Sequence, residues 1–547
     1  MAVIRRINIK GFVIAGTGSG SGKTTTTLAV MAFLAEKGYR IAPFKVGPDF
    51  IDPGYHRAVT GRISRNLDSW MLSKAYNEKI FLHGTENADI AVVEGVMGLF
   101  DGFSGTREAG STSEMAKWLN LPVILIVDAR SMARSAAAIV QGFENFDTDL
   151  NFAGVIFNRT GSLRHYEYLR EAVEATCKMP CIGFLPRNDK IVFPERHLGL
   201  VTTDEHLVSS DIIAELVTMV EKNTKMEEVV KNLPDIPMDG STVNTDTVKT
   251  DTVNTDTVKT DTINTGTVSE IPANESSELL ITGASEFESE KIRIAVARDK
   301  AFCFYYQENF EILEQNGAEI VFFSPVNDVN LPSDIDGIYL GGGYPELFAD
   351  RLSQNKSILK QIKEKSLAGM PVYGECGGFM YLCSSLTGMN EKEKFSMIGC
   401  FPFSVSISKK MRSLGYREIM LKKDTLVGKK GDVLRGHEFH YSFLDDLCET
   451  SCTTKYKFND VLQVESGEKK EKPNLPHDGF TKDLFPERIY SVTNRNKQKL
   501  SLDGFQVNNT LGSYLHIHFG SAERPGSINP AGHAFVNSCI SFKKGLL

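Results

Sequence analysis

The sequence predicts two α/β domains, the first of them a parallel sheet covered by helices. In the first half, apolar strand-like runs alternate with helix-like stretches, the pattern of a parallel sheet; these runs are Phe12 to Ala15, Ile90 to Glu94, Val123 to Val127 and Gly154 to Phe157. The same alternation restarts at Ile292, after a stretch of quite different composition. The length of 547 residues agrees, since roughly 100 to 200 residues make one domain.

The stretch between the two halves is a repeat of low complexity. From Ser241 a ten-residue unit, TVNTDTVKTD, recurs with drift, and its Val residues fall at every fifth position. That spacing fits neither the helix nor the strand period, so the composition favours a disordered tether over a β-solenoid or a docking element. We therefore assign residues 1–230 to the first domain, 231–290 to the linker and 291–547 to the second domain. The lysine-rich stretch 448–499 is interpreted as a surface insertion.

Composition excludes several classes of protein. The chain is 41% hydrophobic and 24% charged, as globular proteins are, and its net charge of −8 disfavours nucleic acid and anionic membranes as partners. No window of about 18 apolar residues could span a membrane, and the N-terminus lacks the pattern of a secretory signal. We therefore expect a cytoplasmic protein. The close pairs Cys177/Cys181 and Cys448/Cys452 lack further ligands at zinc spacing, so reduced thiols are expected.

A glycine-rich loop lies between the first strand and the first helix. Glycines let backbone N–H groups approach phosphate oxygens, a lysine reaches the β- and γ-phosphates, and a hydroxyl binds Mg²⁺. The spacing departs from the plain P-loop pattern, because Thr17 stands where the first glycine is expected and Gly16 lies one residue earlier. The predicted nucleotide-binding residues are Gly16, Thr17, Gly18, Ser19, Gly20, Ser21, Gly22, Lys23 and Thr24.

Acidic residues follow two other predicted strands. Asp49 and Asp52 stand in FKVGPDFIDPGYH, where glycines and prolines force a loop, and Glu94 ends a strand in DIAVVEGVMGLFDG. Carboxylates at the carboxyl ends of strands beside a P-loop commonly hold Mg²⁺. A solvated loop carboxylate or a helix cap is the alternative for each of them.

These motifs together resemble one family, the cobyrinate a,c-diamide synthases, of the dethiobiotin-synthetase-like P-loop group. The resemblance is carried by GTGSGSGKTT, KVGPDFIDPGYH, EGVMGLFDG, GVIFNR at 154–159 and PERHLGL at 194–200. It implies that ATP and Mg²⁺ are the cofactors, with Thr24, Asp49 and Glu94 at the metal. It also implies that Asp49 and Asp52 activate a substrate carboxylate and that Asn158 contacts the nucleotide.

In the second half, GECGG at 374–378 has the form of a nucleophile elbow. Small residues on both sides of Cys376 allow a strained strand-to-helix turn that exposes the thiol, and the N–H of Gly377 can donate to an oxyanion. A second donor is available in GGGYPE at 341–346. The alternative for Cys376 is a buried structural thiol.

A thiol nucleophile needs a base, and the sequence offers rival histidines. His516 and His518 alternate in YLHIH, and His437 and His440 lie in GHEFHYS. The residues alone do not select one. The region 291–547 resembles the class I glutamine amidotransferase domain of cobyrinate and cobyric acid synthases, which implies Cys376 as nucleophile, His516 as base, and Gly342, Gly343 and Gly377 at the oxyanion. His518 stands where most class members have Glu, so a dyad or a third member from elsewhere is expected.

The resemblance implies one reaction for the two halves. Glutamine hydrolysed at Cys376 would release ammonia, which would attack a carboxylate activated by ATP as an acyl phosphate. The implied substrate is a tetrapyrrole polycarboxylate amidated at its a and c acetates: cobyrinate, in cobalamin biosynthesis, or Ni-sirohydrochlorin, in coenzyme F430 biosynthesis in methanogens. The alternatives are a cobyric acid synthase-like or other glutamine-dependent ligase, and a P-loop ATPase regulator with a non-catalytic glutaminase-like domain. A homodimer is compatible with the sequence.

Overall fold

The computed structural model describes most of both predicted domains. The described residues are 6–188, 191, 208–239, 291–387, 393–445, 486–500, 503–522 and 530–546. The Thr/Asp repeat from Ser241, the PERHLGL motif and the pair Cys448/Cys452 lie outside them. No helix among the described residues is long and apolar enough to cross a membrane.

The first domain is built on one sheet in which seven strands run parallel, as predicted. They are β1 (Arg6–Gly16), β2 (Ile41–Val46), β3 (Arg65–Leu67), β4 (Ile90–Gly98), β5 (Val123–Asp128), β6 (Phe152–Thr160) and β7 (Cys181–Pro186). Their order is β3-β2-β4-β1-β5-β6-β7, so the chain reverses direction across the sheet beside β1. Ligands of open parallel sheets bind outside the carboxyl ends of strands at such a switch point. The glycine-rich loop lies there.

Helices cover both faces of this sheet. They are α1 (Lys23–Glu36), α2 (Asp52–Thr60), α3 (Lys74–Gly84), α4 (Thr112–Trp118), α5 (Ser135–Phe146), α6 (Leu163–Glu174), α7 (Ser210–Asn223) and α8 (Met226–Asn232). Side chains of Ser73, Ser111 and Ser162 accept hydrogen bonds from backbone N–H groups at the starts of α3, α4 and α6. The central strands are buried on both faces, which explains their continuous apolar runs.

The predicted boundary at residue 230 is wrong. Strand β8 (Ile236–Asp239) pairs antiparallel with the first residues of β1, from Arg6↔Asp239 to Ile9↔Ile236. Leu233 and Ile236 are also buried. The chain therefore remains part of the first sheet through residue 239, and the expected linker begins no earlier than residue 240.

The second domain contains a mixed sheet of ten strands and a smaller sheet of four. The large sheet contains β9 (Ile292–Ala297), β10 (Ala318–Phe323), β11 (Gly337–Leu340), β12 (Val372–Glu375), β16 (Ser413–Leu421), β17 (Val433–His440), β19 (Glu487–Asn494), β20 (Asp503–Val507), β21 (Thr510–Ser513) and β22 (Leu515–Ile517). The small sheet contains β13 (Ser385–Thr387), β14 (Lys394–Ser396), β15 (Ser404–Ile407) and β18 (Ser442–Leu444).

Parallel strands and flanking helices form the half of the large sheet that carries the elbow. Strands β10, β9, β11, β12 and β21 are neighbours in that order and run parallel. The helices of this domain are α9 (Gln307–Gln315), α10 (Ala349–Gln354), α11 (Lys356–Leu367), α12 (Gly377–Leu382) and α13 (Pro530–Lys543). The second predicted α/β domain is therefore confirmed.

The interpretation of residues 448–499 as a surface insertion is wrong at its end. Strand β19 lies inside the ten-stranded sheet, between β16 and β20. Ile489, Tyr490 and Val492 are buried in the domain core. Residues 446–485 lie outside the described part of the chain.

Buried ion pairs and hydrogen bonds join the two domains. Arg65, which is on β3, donates to Glu308 at 3.0 Å and to Glu311 at 2.6 Å, both of which are on α9. The Tyr416 hydroxyl, from the second domain, donates to Asp68 Oδ2 at 2.7 Å. These contacts hold the first domain against α9 and β16 of the second domain.

Candidate active sites

The glycine-rich loop has the backbone shape that its sequence demands. Gly20 and Gly22 have φ of +76° and +92°, values that favour glycine, and α1 begins directly after Gly22. A Cβ at Gly22 would collide with the Asn158 side chain. The loop therefore presents the N-terminus of α1 at the carboxyl edge of the sheet, which is where a phosphate binds.

The end of β6 supports this loop from one side. The Asn158 amide donates to the carbonyl oxygen of Ser21 at 3.0 Å, and the Arg159 guanidinium donates to that of Gly20 at 2.7 Å. Arg159 also pairs with Asp128 at the end of β5. Asn158, predicted to contact the nucleotide, is thus a support of the loop in this structure.

Lys23 lies folded over the loop and is mostly buried. Its Nζ donates to the carbonyl oxygen of Gly18 at 3.2 Å. Burial, with the nearby Lys45 cation, lowers the pKa of Lys23 to about 8. Phosphate groups at the loop would favour the charged form of this ammonium group.

Two of the three predicted acids meet Thr24. The Thr24 hydroxyl lies 2.6 Å from Glu94 Oε1 and 3.4 Å from Asp52 Oδ2. The Lys45 ammonium bridges the same carboxylates, at 2.6 Å from Asp52 and 3.0 Å from Glu94. His56 completes the cluster with its Nε2 2.7 Å from Glu94 Oε2.

The charged groups in this buried cluster shift the pKa values of their neighbours. Burial alone would raise the pKa of Glu94, but Lys45 and His56 hold it well below its ordinary value. Burial would lower the pKa of Lys45, yet Asp52 and Glu94 hold it well above the ordinary range. Burial, together with the charges of Asp49 and Glu94, raises the pKa of Asp52.

The oxygen atoms of this cluster fit Mg²⁺. Two carboxylates and a hydroxyl are hard ligands, and the Lys45 ammonium group already occupies a cation position between the carboxylates. The described residues contain no group of three or more His, Cys, Asp or Glu side chains arranged for a metal. An ion here would therefore need Thr24 and nucleotide phosphates as further ligands, as Mg²⁺ commonly has.

Asp49, unlike Asp52 and Glu94, has no hydrogen bond to Thr24 and instead binds backbone N–H groups. Its Oδ1 accepts the backbone N–H groups of Ile51 at 2.7 Å and Asp52 at 3.1 Å, so it holds the turn that leads into α2. The structure does not join its carboxylate to Thr24 or Glu94 by a hydrogen bond. It orients Asp52 instead, and its charge raises the pKa of that neighbour.

Cys376 occupies a strained turn between β12 and α12. Its φ is +48°, unusual for a residue other than glycine, as a nucleophile elbow requires. Its N–H donates to the carbonyl oxygen of Ser513 at 2.8 Å, which fixes the turn to β21. A Cβ at Gly378 would collide with the Leu340 carbonyl, so only glycine fits there.

The predicted oxyanion glycines lie between the elbow and His516. A Cβ at Gly377 would be 3.0 Å from the backbone nitrogen of Gly343, and a Cβ at Gly342 would collide with the His516 ring. The structure therefore brings together Cys376, the three glycines and His516. This arrangement can hold a carboxamide between a thiol and backbone donors.

Burial favours the uncharged forms of the thiol and the imidazole. Burial raises the pKa of Cys376, whose Sγ donates to the Phe439 carbonyl oxygen at 3.8 Å. Burial lowers the pKa of His516 to about 3, and its Nδ1 is buried without a hydrogen-bond partner among the described residues. The structure has no hydrogen bond between Sγ and the ring, so a thiolate–imidazolium pair is absent from this conformation.

The rival histidines have other partners. His437, on β17, bonds to the Tyr306 hydroxyl at 2.9 Å and stacks on His516 with centroids 4.8 Å apart. His440 bonds to Glu438 at 2.8 Å. His518 Nδ1 accepts the Gly520 N–H at 3.1 Å, and its Nε2 lies 4.0 Å from Glu308 Oε2. His518 thus faces the Glu308 carboxylate, next to the ion pairs that join the domains.

Comparisons with known proteins agree with this geometry. Residues 12–201 match the family described as "CobQ/CobB/MinD/ParA nucleotide binding domain", and residues 293–524 match "CobB/CobQ-like glutamine amidotransferase domain". A cobyrinate a,c-diamide synthase of Dehalococcoides mccartyi (strain CBDB1) is 42% identical over 94% of this chain and 96% of its own. One from Leptospira interrogans (strain Fiocruz L1-130) is 37% identical over 98% and 99%, and one from Salmonella typhimurium is 38% identical over 94% and 95%.

The chain belongs to the cobyrinate a,c-diamide synthase family. The predicted fold class is confirmed, with a nucleotide-binding domain before a glutamine amidotransferase domain. Membership makes the chain a glutamine-hydrolysing amide ligase that uses a nucleotide.

At both candidate sites, this family member has contacts that the sequence did not reveal. Lys45 and His56 join the Glu94 cluster because β2 pairs with β4 in the register Lys45↔Glu94. Phe50, between Asp49 and Asp52, enters the second domain and contacts the rings of Phe304, Tyr306, His437 and His516. Both depend on strand register and domain packing, which no local motif encodes.

Proposed function

We propose that this chain amidates the a and c acetate carboxylates of cobyrinate, with ATP as the activating nucleotide and glutamine as the source of ammonia. The proposal rests above all on one observation. The segment that holds Asp49 and Asp52 also places Phe50 against His516, with ring centroids 5.0 Å apart. The proposed carboxylate-activating motif is therefore in direct contact with the proposed glutaminase base. The named activity of the relatives supplies the substrate.

In the first domain, the loop N–H groups and Lys23 would bind the nucleotide phosphates. A substrate carboxylate oxygen attacks the γ-phosphorus, ADP leaves, and an acyl phosphate forms. Thr24, Asp52 and Glu94 would hold Mg²⁺, which neutralises charge on the transferring phosphoryl group when it is bound. Lys45 lies 2.6 Å from Asp52 and 3.0 Å from Glu94, and its charge helps to hold the pKa of Glu94 low. The proposed role of Asp49 is to orient Asp52.

In the second domain, Cys376 would attack the glutamine carboxamide. The Cys376 proton passes to His516, and the oxyanion that forms accepts hydrogen bonds from the N–H groups of Gly343 and Gly377. His516 then returns the proton to the leaving ammonia, and water hydrolyses the γ-glutamyl thioester. Because burial favours the uncharged forms of both groups, the proton transfer would accompany the attack on bound glutamine.

Ammonia formed here must reach the acyl phosphate before water does. The rings of Phe50, Phe304 and Tyr306 pack between the two sites, with Phe50 centroids 5.4 Å and 4.8 Å from the other two. This apolar contact would limit the access of water between the two sites. Attack of ammonia on the acyl carbon then releases phosphate and leaves the amide.

Product analysis with labelled glutamine tests this function. The purified protein is incubated with ATP, Mg²⁺ and [amide-¹⁵N]glutamine, together with cobyrinate or Ni-sirohydrochlorin, and the product mass is measured. We expect two labelled nitrogens in the cobyrinate product. Labelling of Ni-sirohydrochlorin in preference to cobyrinate would replace the proposed substrate, and no labelling of either would contradict the amidation of a tetrapyrrole. The Cys376→Ser protein is the control, since it should transfer no label.

A further inference from the structure

A large cavity opens between the two domains beside Phe50. Its volume is about 840 Å³. The first domain contributes the start of α2, with Phe50, Ile51 and Pro53, and the second contributes the chain around 298–310. Neither domain could form it alone.

Four cations line this cavity. They are Arg57, Arg298, Lys300 and Arg351, and all four residues are solvent-exposed. The Arg351 guanidinium donates to Asn327 Oδ1 at 2.8 Å, and that of Arg298 lies 5.0 Å from the Phe322 ring centroid. None of the four forms an ion pair with a carboxylate in the part of the chain that the structure describes.

The one carboxylate among the described lining residues does not neutralise them. Asp299 Oδ1 accepts the N–H groups of Ala301 and Phe302 at 2.8 and 3.2 Å. Its Oδ2 accepts from the Ser324 hydroxyl at 2.7 Å and from the Val326 N–H at 2.9 Å. Both oxygens are held by neutral donors, and one carboxylate against four cations leaves the cavity a surplus of positive charge, which favours an anion with several charges.

The same cavity has an aromatic wall. Phe50, Phe304, Phe310 and Phe348 line it. Phe50 and Phe304 stack with an interplanar angle of 10°. Flat apolar surface beside separated cations suits a ligand with a flat apolar body and carboxylates around its edge.

We infer that this cavity binds the tetrapyrrole polycarboxylate, with Arg57, Arg298, Lys300 and Arg351 holding the peripheral carboxylates that are not amidated. The inference rests on the proposed function and names the binding site for its substrate. The macrocycle lies against the aromatic wall. Carboxylates paired with these cations are kept away from the nucleotide, so the four residues also determine which acetates react.

Two connections lead from this cavity to the nucleotide site. Ile51 and Pro53 line the cavity, while Asp52 between them contacts Thr24 and Lys45. Ser64, also in the lining, bonds to His56 at 2.9 Å, and His56 bonds to Glu94. An acetate that projects over the start of α2 would therefore lie next to residues that adjoin or contact the phosphoryl-transfer groups.

Direct binding of cobyrinate tests the site. Its affinity for the full-length protein is measured by ultrafiltration and corrin absorbance for Arg298→Gln, Arg351→Gln and the triple variant with Arg57→Gln. Each single change should weaken binding about tenfold and the triple change at least a hundredfold, because charge-assisted hydrogen bonds are lost. Arg164→Gln, an exposed arginine on α6 outside the cavity, is the matched control and should bind as the wild type does. Cobyrinate methyl esters, which lack the charges, should not compete.

The outcomes separate the site from the function. If the wild type amidates cobyrinate and the triple variant still binds it as tightly, the cavity is not the substrate site although the proposed function stands. A raised KM for glutamine with intact cobyrinate affinity would assign the cavity to glutamine and overturn the inference. If the wild type neither binds nor amidates cobyrinate or Ni-sirohydrochlorin, both the inference and the proposed function fail.

Discussion

The Phe50 ring of the nucleotide-binding domain lies 5.0 Å, centroid to centroid, from the imidazole of His516 in the glutaminase domain. Phe50 also lies between Asp49, which accepts the Ile51 N–H before α2, and Asp52, which contacts Thr24. A shift of the α2 start therefore moves a ring that packs directly on the proposed base. Phe50 therefore places the two sites in direct contact.

The first prediction concerns this connection. In Phe50→Ala the truncated side chain no longer restrains His516, and the apolar contact between the sites is opened to water. We expect several molecules of glutamine to be hydrolysed per amide formed, against a ratio near one in the wild type. Glutamate and amide product are measured in the same reaction. Phe146→Ala, at a phenylalanine that is 74% exposed, is the control. An unchanged ratio in Phe50→Ala would contradict the coupling.

Some of the site could be predicted from sequence because its geometry is local. The glycines around Lys23 and those around Cys376 create turns that few other residues permit, so the motif and the conformation coincide. Lys45 could not be found in this way, because only the pairing of β2 with β4 brings it to Glu94. Phe50 looked like an ordinary apolar residue, since its partners lie more than 250 positions away along the chain.

The predicted domain boundary at residue 230 and the predicted insertion at 448–499 were wrong for a related reason. Strand β8 is only four residues long and pairs with the start of β1, so its role depends on a contact with the other end of the domain. Strand β19 contains the buried residues Ile489, Tyr490 and Val492, but it follows a lysine-rich stretch that dominated the composition. Composition over a window of dozens of residues conceals a short strand at its edge.

The second prediction concerns Lys23. In Lys23→Ala a cation is lost from the phosphate-binding loop, and the change removes no core contact. We expect the rate of amidation at saturating ATP to fall about 100-fold, roughly 2.7 kcal/mol in the activation free energy. Lys37→Ala, at the exposed end of the same helix, should keep the wild-type rate. Near-normal turnover in a folded Lys23→Ala protein would refute the assignment of the loop.

The third prediction concerns Glu94. Glu94→Gln removes the negative charge that lies 2.6 Å from the Thr24 hydroxyl. A Mg²⁺ ion bound at Thr24 would therefore lose one carboxylate charge beside it. The Mg²⁺ concentration for half-maximal amidation should rise at least tenfold, measured by titration at saturating ATP. Glu86→Gln, in an exposed loop, serves as the control. An unshifted titration would remove Glu94 from the metal site.

The fourth prediction separates the two halves chemically. Cys376→Ser should abolish amidation with glutamine but retain it with concentrated ammonium salt at alkaline pH, where free ammonia replaces the product of glutamine hydrolysis. His516→Asn should behave in the same way, because the thiol then lacks its base. His518→Asn should have a milder effect, since His518 contacts Gly520 and Glu308.

Amide formation with each nitrogen source is the measurement. If Cys376→Ser loses both activities while it remains folded, the second domain does more than supply ammonia. If His518→Asn is the more damaging histidine variant, the proposed base is wrong.

The last prediction concerns Glu375, which immediately precedes the nucleophile. Its buried carboxylate accepts from the Tyr373 hydroxyl at 2.7 Å, the Tyr339 hydroxyl at 2.9 Å and the Ile517 N–H at 3.0 Å, so it ties the elbow to β22. Burial raises the pKa of Glu375 from 4.5 to about 7, against the effect of these donors. The folded state therefore holds this proton more tightly than the unfolded state does.

The sign of the pH effect follows from that difference. Between about pH 4.5 and pH 7 the unfolded chain releases the Glu375 proton while the folded chain keeps it, so this residue's contribution to stability falls as pH rises. The full loss is at most about 3 kcal/mol, from a shift of about 2.5 pH units.

Glu375→Gln cannot release a proton and should lack this decline, so its urea midpoint should rise relative to the wild type from pH 5 to pH 8. Other titrating groups, such as the buried Asp503, are common to both proteins and cancel in the comparison. Glu364→Gln, on the exposed face of α11, should show a constant difference. A difference for Glu375→Gln that is equally constant over this range would mean that Glu375 is ionised throughout, held by its three donors against burial.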